Sequence, residues 1–152
     1  MTKPYRKCVG VVVFKNKKVL LCERKDIAGQ WQFPQGGIEQ GEDFTDAARR
    51  ELNEETSISS VVKVDTIDNP IRYDFPDNIK NNGKWKFVGQ DMQWVLFRFE
   101  GEDSEINLQT KEPEFRNWRW ENIDEAPRKI VEFKRDVYQQ VVKRFKPLIE
   151  EK

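Results

Sequence analysis

The residues of this chain whose spacing best suits catalysis are three glutamates near the end of one predicted helix. They are Glu51, Glu54 and Glu55. At about 100° per residue, the three carboxylates fall within one arc of the helix, beside the apolar residues that must face the core. Clustered carboxylates repel one another unless a positive group lies among them, and hard divalent ions prefer oxygen ligands. The spacing therefore suits a Mg²⁺ or Mn²⁺ site, although spacing alone leaves open an acidic helix end paired with Lys or Arg.

The composition excludes several other kinds of chemistry. The 152 residues contain no histidine, which excludes His-based triads, His-ligated metals and imidazole acids or bases. Cys8 and Cys22 are too few for a four-ligand zinc site or a disulfide framework. Catalysis must therefore rest on carboxylates, Lys, Arg, Tyr or a metal held by oxygen atoms. Because no apolar run is long enough to span a membrane and no signal-peptide pattern occurs, we expect a cytoplasmic protein with no membrane partner.

Charge is balanced over the whole chain but unevenly distributed along it. The sequence has 27 basic and 27 acidic residues. Basic residues are concentrated in 1–25 and 126–148, and acidic residues in 39–55 and 100–125. Alternating blocks suit a site that holds cations at one place and phosphates at another, unlike the uniformly basic surface of a nucleic-acid binder. Charges spread over a solvated surface are the simpler alternative.

The elements that must position these residues form a mixed α/β pattern. Two β-branched runs, 9–14 and 19–22, predict a hairpin. A helix is predicted from Asp43, as N-cap, to Glu55. The remaining predictions are strands at 61–67, 94–99 and 115–120, a long loop at 69–89 and a helix at 124–145. The length predicts a single α/β domain over residues 1–152.

The glutamate helix and the loop before it resemble the Nudix box. Residues 36–58 read G-G-I-E-Q-G-E-D-F-T-D-A-A-R-R-E-L-N-E-E-T-S-I, with matches at Gly36, Glu42, Arg50, Glu51, Leu52, Glu54, Glu55 and Ile58. One position departs from the pattern, because Ser57 stands where the family has glycine. That position lies just past the helix, where glycine easily supplies a positive φ. We therefore expect serine there to cost about 1 kcal/mol.

Segments outside the box resemble the Nudix branch that contains diadenosine polyphosphate hydrolases and bacterial RNA pyrophosphohydrolases. They are 31–38, 89–90, 113–115, 118–120 and 133–135. The resemblance implies a Nudix fold, an α/β/α sandwich around a mixed β-sheet. It also implies that water attacks a phosphoanhydride of a nucleoside-linked substrate, with Mg²⁺ as cofactor and Mn²⁺ as a possible substitute.

The same resemblance implies roles for individual residues. The metal ligands would be Glu51, Glu54 and Glu55, usually with the Gly36 carbonyl, and Glu114 would be a further ligand or the base. Arg50 would orient the carboxylates and Glu42 would anchor the loop. Substrate contacts are implied for Arg6, Arg24, Tyr73, Phe133 and Lys134. For Lys134, which falls in the helix predicted at 124–145, a solvated surface lysine is the simpler interpretation.

The substrate is expected to be a nucleotide or the 5′ end of an RNA, with no protein partner required. Removal of pyrophosphate from 5′-triphosphate RNA is the favoured hypothesis. Enzymes of that kind in this branch often carry G-Q-K-Q-K-W, whereas residues 89–94 read G-Q-D-M-Q-W, which adds Asp91 and weakens phosphate contacts. Lys80, Lys84 and Lys86 could restore a basic rim. Diadenosine polyphosphate hydrolysis is the close alternative, followed by hydrolysis of oxidised nucleoside triphosphates and a non-catalytic nucleotide- or RNA-binding module.

Overall fold

The first two strands form the predicted hairpin at the centre of the protein. The computed structural model describes residues 4–80 and 86–151, without the side chain of Lys80. Strands β1 (Tyr5–Lys15) and β2 (Lys18–Arg24) are antiparallel, with Phe14 opposite Val19. Alternate side chains of β1 point to opposite faces of the sheet, so this strand contributes to two cores. One core contains Cys8, Val12 and Phe14, and the other contains Val9, Val11 and Val13.

Seven strands form one mixed sheet. The remaining strands are β3 (Trp31–Gln32), β4 (Gln35–Gly37), β5 (Val61–Asp74), β6 (Gly89–Phe99) and β7 (Phe115–Glu121). The strand order is β3-β2-β1-β6-β5, with β4 paired to β1 and β7 paired to β2. The β1 and β6 strands are parallel, from Tyr5 opposite Gly89 to Phe14 opposite Arg98. The other paired strands are antiparallel.

Helices cover both faces of the sheet. Helix α1 (Phe44–Thr56) buries Ala47, Ala48 and Leu52 in one core. Helix α4 (Arg135–Glu151) buries its apolar stripe, Val137, Tyr138, Val141, Phe145 and Ile149, in the other. This arrangement confirms the expected α/β/α architecture. No helix within the described residues is long and apolar enough to cross a membrane.

The loop predicted at 69–89 was wrong at 69–74, 77–80 and 89, and its residues 81–85 lie outside the described part of the chain. Strand β5 continues to Asp74, which lies opposite Gly89 on β6. Pro70 is tolerated because β5 is an edge strand and its register shifts between Ile67 and Ile71. The short helix α2 (Asp77–Lys80) follows.

The single helix predicted at 124–145 was also wrong. The chain forms a 3₁₀ turn (Ile123–Glu125), helix α3 (Ala126–Lys129), a second 3₁₀ turn (Glu132–Lys134) and then α4. Ile130 and Val131, between α3 and the second 3₁₀ turn, have non-helical backbones, with ψ of 154° and 141°. The apolar spacing persists across the break because Ile130 and the α4 stripe pack into the same core.

Candidate active site

Helix α1 begins and ends at the residues that its sequence indicates. The Asp43 carboxylate accepts hydrogen bonds from the backbone N–H groups of Thr45 and Asp46, at 3.0 and 3.3 Å, which confirms the predicted N-cap. Ser57 follows the helix with φ of 69°, in the left-handed region. Its N–H donates to the Asn53 carbonyl and its hydroxyl donates to the Asn107 carbonyl, both at 2.9 Å. The serine therefore adopts the backbone conformation expected of glycine and ties the helix end to a neighbouring loop.

The three glutamates of α1 differ in exposure. Glu55 is buried, Glu51 is largely buried with 16% of its side chain exposed, and Glu54 is exposed. Burial, followed by the charges of Glu51 and Glu114, raises the pKa of Glu55 to about 9. Burial also raises the pKa of Glu51, while Arg50 opposes that shift. A cation among these carboxylates would relieve the cost of ionising them.

Arg50 connects the glutamates to the loop before the helix. Its Nη1 donates to Glu51 Oε1 at 2.8 Å, its Nε donates to Glu42 Oε2 at 2.9 Å, and its Nη2 donates to the Gly37 carbonyl at 2.9 Å. Glu42 Oε1 also accepts from the Glu39 N–H at 3.0 Å. The Arg50 guanidinium lowers the pKa of Glu42 to about 2. These contacts are those expected of an arginine that orients carboxylates and a glutamate that anchors the loop.

Glycine at position 36 allows β4 to lie directly beside the Glu51 carboxyl group. A Cβ atom on Gly36 would lie 2.0 Å from Glu51 Cδ and 2.1 Å from its Oε2. Strand β4 holds the glycine there because Gly36 pairs with Val9 of β1. The backbone at Gly36 and the Glu51 carboxyl group therefore meet without a side chain between them.

These residues open onto a cleft of about 780 Å³. Five carboxylates line it: Glu51, Glu54, Glu55, Glu112 and Glu114. Four cationic side chains line it too: Arg6, Arg24, Lys111 and Lys134. Within residues 4–80 and 86–151, no three carboxylate or thiol side chains already converge as a complete metal-binding group. The cleft nevertheless brings together all the predicted metal ligands and three of the five predicted substrate contacts.

Lys134 is buried rather than solvated. Only 7% of the residue is exposed, and its Nζ donates to Gln35 Oε1 at 3.3 Å. Burial, with a smaller contribution from the charge of Arg24, lowers the pKa of Lys134 to about 8. Arg24 is more exposed and forms a bidentate ion pair with Asp26, at 2.9 and 2.6 Å. Lys134 is thus an ammonium group that lines the cleft and has no carboxylate partner within residues 4–80 and 86–151.

Tyr73 and Phe133 lie behind the cleft and do not line it. The buried Tyr73 hydroxyl donates to Gln90 Oε1, and the Phe133 ring centroid lies 5.8 Å from that of Tyr73. The Nζ atom of Lys134 lies 5.6 Å from the Tyr73 ring centroid. The two rings therefore pack behind Lys134, and their direct contact with substrate stays a prediction.

Sequence reasoning missed several residues that line the cleft, among them Gln35, Lys111 and Glu112. Gln35 binds two site residues, because its N–H donates to Glu55 Oε1 at 3.2 Å and its side chain accepts from Lys134. Its position next to Gly36 was the available signal. Lys111 and Glu112 precede Glu114 in the acidic block, where charge alone did not distinguish them from solvated residues.

Asp91, which departs from the lysine-rich pattern, is neutralised within the sheet. Arg72 of β5 lies opposite Asp91 of β6, and its guanidinium donates to both carboxylate oxygens at 2.7 and 2.9 Å. The added negative charge is therefore offset locally. In the suggested basic rim, Lys86 is exposed, whereas Lys84 and the Lys80 side chain lie outside the described residues.

Comparisons with known proteins identify the family. A family described as "NUDIX domain" matches residues 4–141. The chain is 41% identical over 149 residues to an RNA pyrophosphohydrolase of Pelagibacter ubique, covering 96% of this chain and 94% of that protein. It is 47% identical over 148 residues to an RNA pyrophosphohydrolase of Dinoroseobacter shibae, covering 93% and 92%.

A solved structure agrees at the level of the fold. The structure of the E. coli dihydroneopterin triphosphate pyrophosphohydrolase superposes with a TM-score of 0.71 at 21% identity, covering 92% of this chain and 98% of that one. At that identity the likeness supports the fold alone. Because the family match spans most of the chain and close relatives cover nearly all of it, this protein is a member of the Nudix hydrolase family.

Proposed function

We propose that this protein is an Mg²⁺-dependent RNA pyrophosphohydrolase, which converts the 5′-triphosphate of an RNA to a 5′-monophosphate and releases pyrophosphate. The main support for this proposal is that one cleft is lined both by acidic and by basic side chains. The acidic ones are the glutamates of α1 and Glu114, and the basic ones are Arg6, Arg24 and Lys134. Relatives named RNA pyrophosphohydrolase, 41% and 47% identical, support the choice of substrate. We also propose a cytoplasmic location, with which the two free, buried cysteines are compatible.

The donor set fits a hard divalent cation. Nudix hydrolases generally use such ions, and Glu51, Glu54, Glu55 and Glu114 would hold one here, with the Gly36 carbonyl. The raised pKa of Glu55 is consistent with this assignment, because burial and then the charges of Glu51 and Glu114 make its ionised form costly unless a cation lies beside it. Bound Mg²⁺, or Mn²⁺ in its place, supplies charge that offsets the phosphates and makes water more acidic.

The protein's own residues bind the phosphates and accept the proton. Arg6, Arg24 and Lys134 donate charge-assisted hydrogen bonds to phosphate oxygens. Water attacks the α-phosphorus, the bond to the α–β bridging oxygen breaks, and pyrophosphate leaves. The proton of the water passes to a carboxylate, with Glu114 as the proposed base and a glutamate of α1 as the alternative. Arg50 keeps Glu51 oriented throughout, through its contact at 2.8 Å.

Diadenosine polyphosphate hydrolysis is the second candidate, and the G-Q-D-M-Q-W segment favours it. Asp91 stands where RNA pyrophosphohydrolases of the branch often carry lysine. The ion pair between Asp91 and Arg72 weakens that argument, because a neutralised carboxylate repels an RNA backbone less. The RNA substrate therefore remains the proposal.

A parallel product assay tests the proposal. The protein is incubated with Mg²⁺ and, separately, 5′-triphosphate RNA, Ap4A and deoxynucleoside triphosphates, and products are resolved by ion-exchange chromatography. We expect the highest kcat/KM on RNA, with pyrophosphate released. Preference for Ap4A or for a deoxynucleoside triphosphate would refute the proposed substrate.

Matched variants of α1 test the metal site in the same assay. Glu54→Gln should reduce turnover at least about 100-fold at saturating Mg²⁺, because an amide is a poor ligand for this ion. Asp46→Asn is the control, since Asp46 is an exposed acid on the solvated side of the same helix. Near-normal rates for Glu54→Gln would contradict the proposed ligand set.

A further inference from the structure

One side of the cleft is formed by a loop that the proposed reaction uses only at its last residue. The loop 107–114 precedes β7, and Thr110, Lys111, Glu112 and Glu114 of this loop line the cleft. Glu114 already has a role in the proposed reaction, whereas the other three have none. Of the four cations that line the cleft, Lys111 is therefore the one without an assigned function.

Lys111 is available to an anionic ligand. Its side chain makes no hydrogen bond or ion pair with any residue in the described part of the chain. Its neighbours in the lining of the cleft, Asn53, Ser57 and Thr110, are polar and uncharged. A cation among hydrogen-bonding side chains, with no aromatic ring beside them, suits phosphate oxygens rather than a nucleobase.

Lys111 and Lys134 approach the glutamates of α1 from different elements. Lys134 is connected to them from β4, because Gln35 accepts from the Lys134 ammonium group and donates its N–H to Glu55. Lys111 belongs to the loop that lies beside the C-terminal end of the helix. A chain of phosphates that passes the glutamates from Lys134 therefore continues toward Lys111.

The loop leaves the end of α1 at Asn107, which is held by three hydrogen bonds of 2.9 Å. Its N–H donates to the Thr56 carbonyl, and its carbonyl accepts from the Ser57 hydroxyl. Its side-chain oxygen accepts from the Gln109 N–H, which turns the chain. The direction of the loop, and with it the position of Lys111, is therefore set at Asn107.

A separate contact holds the segment that precedes the loop. The Glu105 carboxylate accepts from the backbone N–H groups of Ser59 and Ser60, at 2.8 and 2.9 Å. This contact does not involve the Ser57 side chain. Removal of the Ser57 hydroxyl should therefore leave the segment in place and free only the Asn107 carbonyl, from which the loop continues into the cleft.

Ser57 stands where the Nudix pattern has glycine, and glycine has no hydroxyl to donate. Its φ of 69° would suit glycine better, so this chain keeps a less favourable backbone and gains the contact with Asn107. We propose that Ser57 is a positioning residue, which holds the loop 107–114 so that Lys111 binds the terminal phosphates of the substrate. This inference rests on the proposed function, in which those phosphates leave as pyrophosphate.

A double-mutant cycle tests whether Ser57 acts through Lys111. KM and kcat are measured on a 5′-triphosphate dinucleotide at saturating Mg²⁺ for Ser57→Gly, Lys111→Gln and the double variant. Lys111→Gln should raise KM about 10-fold with kcat within about twofold, as for loss of one charge-assisted contact. Ser57→Gly should raise KM at least about threefold in the wild-type background, but less than about 1.5-fold in the Lys111→Gln background. Equal effects in both backgrounds, or an unchanged KM in either single variant, would overturn the inference.

Thermal unfolding distinguishes positioning from a purely structural role. Glycine relieves the positive φ at position 57 while one hydrogen bond is lost, and these effects are of similar size. The Tm of Ser57→Gly should therefore stay within about 3 °C of wild type. Ser59→Gly and Lys143→Gln are the controls, because both residues are exposed and lie outside the cleft, and neither variant should change KM. A larger fall in Tm, together with additive changes in KM, would assign Ser57 a structural role only and overturn the inference.

A binding test separates this inference from the proposed function. Imidodiphosphate, a pyrophosphate analogue whose nitrogen bridge resists hydrolysis, is titrated into the protein by calorimetry in the presence of Mg²⁺. Its Kd should rise about 10-fold in Lys111→Gln and at least about threefold in Ser57→Gly. If the protein fails to hydrolyse RNA but both Kd values rise in this way, only the proposed function is wrong. A Kd that does not change in Lys111→Gln overturns the inference, whatever the enzyme hydrolyses.

Discussion

Replacing Gly36 with alanine should disable the active site and leave the protein folded. The added Cβ atom would lie 2.0 Å from Glu51 Cδ, whereas ordinary contact begins at 3.4 Å. The Glu51 carboxyl group must therefore move by about 1.4 Å, because β4 is held by its pairing with β1. A misplacement of about 1 Å in an active site can cost roughly 100-fold in rate. We expect kcat to fall about 100-fold.

The assay measures kcat on a 5′-triphosphate dinucleotide at saturating Mg²⁺, together with the thermal unfolding of each variant. Among the glycines that the structure describes, only Gly29 and Gly41 have a positive φ, so alanine can adopt the backbone conformation of Gly36. Crowding should cost about 1–3 kcal/mol of stability.

Gly101→Ala is the control for crowding alone, since its Cβ would lie 2.4 Å from Glu105 Oε1 and Gly101 does not line the cleft. This variant should lose stability but keep its kcat. A folded Gly36→Ala variant with kcat within about threefold of wild type would refute the reasoning, because the shift of 1.4 Å would then have no catalytic consequence.

Three further predictions concern pH and the guanidinium group. Because the pKa of Glu55 is about 9 in the metal-free folded protein and about 4.5 when unfolded, stability should fall as pH rises from 5 to 9. The loss is about 3 kcal/mol at pH 7, and urea unfolding in EDTA should show that Glu55→Gln removes this slope. The catalytic rate should rise with pH above neutrality, because the attacking water must lose a proton to the base. The KM for RNA should nevertheless increase above pH 8, where Lys134 loses its proton. Lys134→Arg should abolish that increase, and a KM that rises equally in both proteins would exclude Lys134 as its cause. Arg50→Lys should lower kcat at least about 10-fold at saturating metal. The ammonium group of lysine cannot bind Glu42 of the loop and Glu51 at the same time, as the forked guanidinium does. An unchanged kcat would exclude an orienting role for Arg50.

The sequence predicts the site best where local rules decide the structure. Helix α1 was placed correctly because its N-cap and its apolar spacing are both contained in a dozen residues. The same spacing predicts that the glutamate side chains point toward the core. The structure confirms this for Glu51 and Glu55, which are largely buried. Only Glu54 remains exposed, because it lies at the margin of the arc.

Features that depend on distant contacts were not predictable in this way. The burial of Lys134 follows from a break in the helix at Ile130 and Val131. Neither residue is a glycine or a proline, so the sequence there gives no local signal of the break. The length of β5 depends on pairing with β6 across a segment that contains Pro70. The neutralisation of Asp91 likewise requires the register that brings Arg72 opposite it.

The parallel pairing of β1 and β6 has a consequence for folding during synthesis. Tyr5 pairs with Gly89 and Phe14 pairs with Arg98. The edge of β1 that faces β6 therefore stays unpaired until most of the chain has been synthesised. The β1–β2 hairpin can form early, because its strands are adjacent, but it then exposes an apolar strand edge to other chains. Pairings of such long sequence separation form slowly, since the loop between them must close first. The step that completes the sheet is therefore also the step at which a nascent chain is most prone to aggregate.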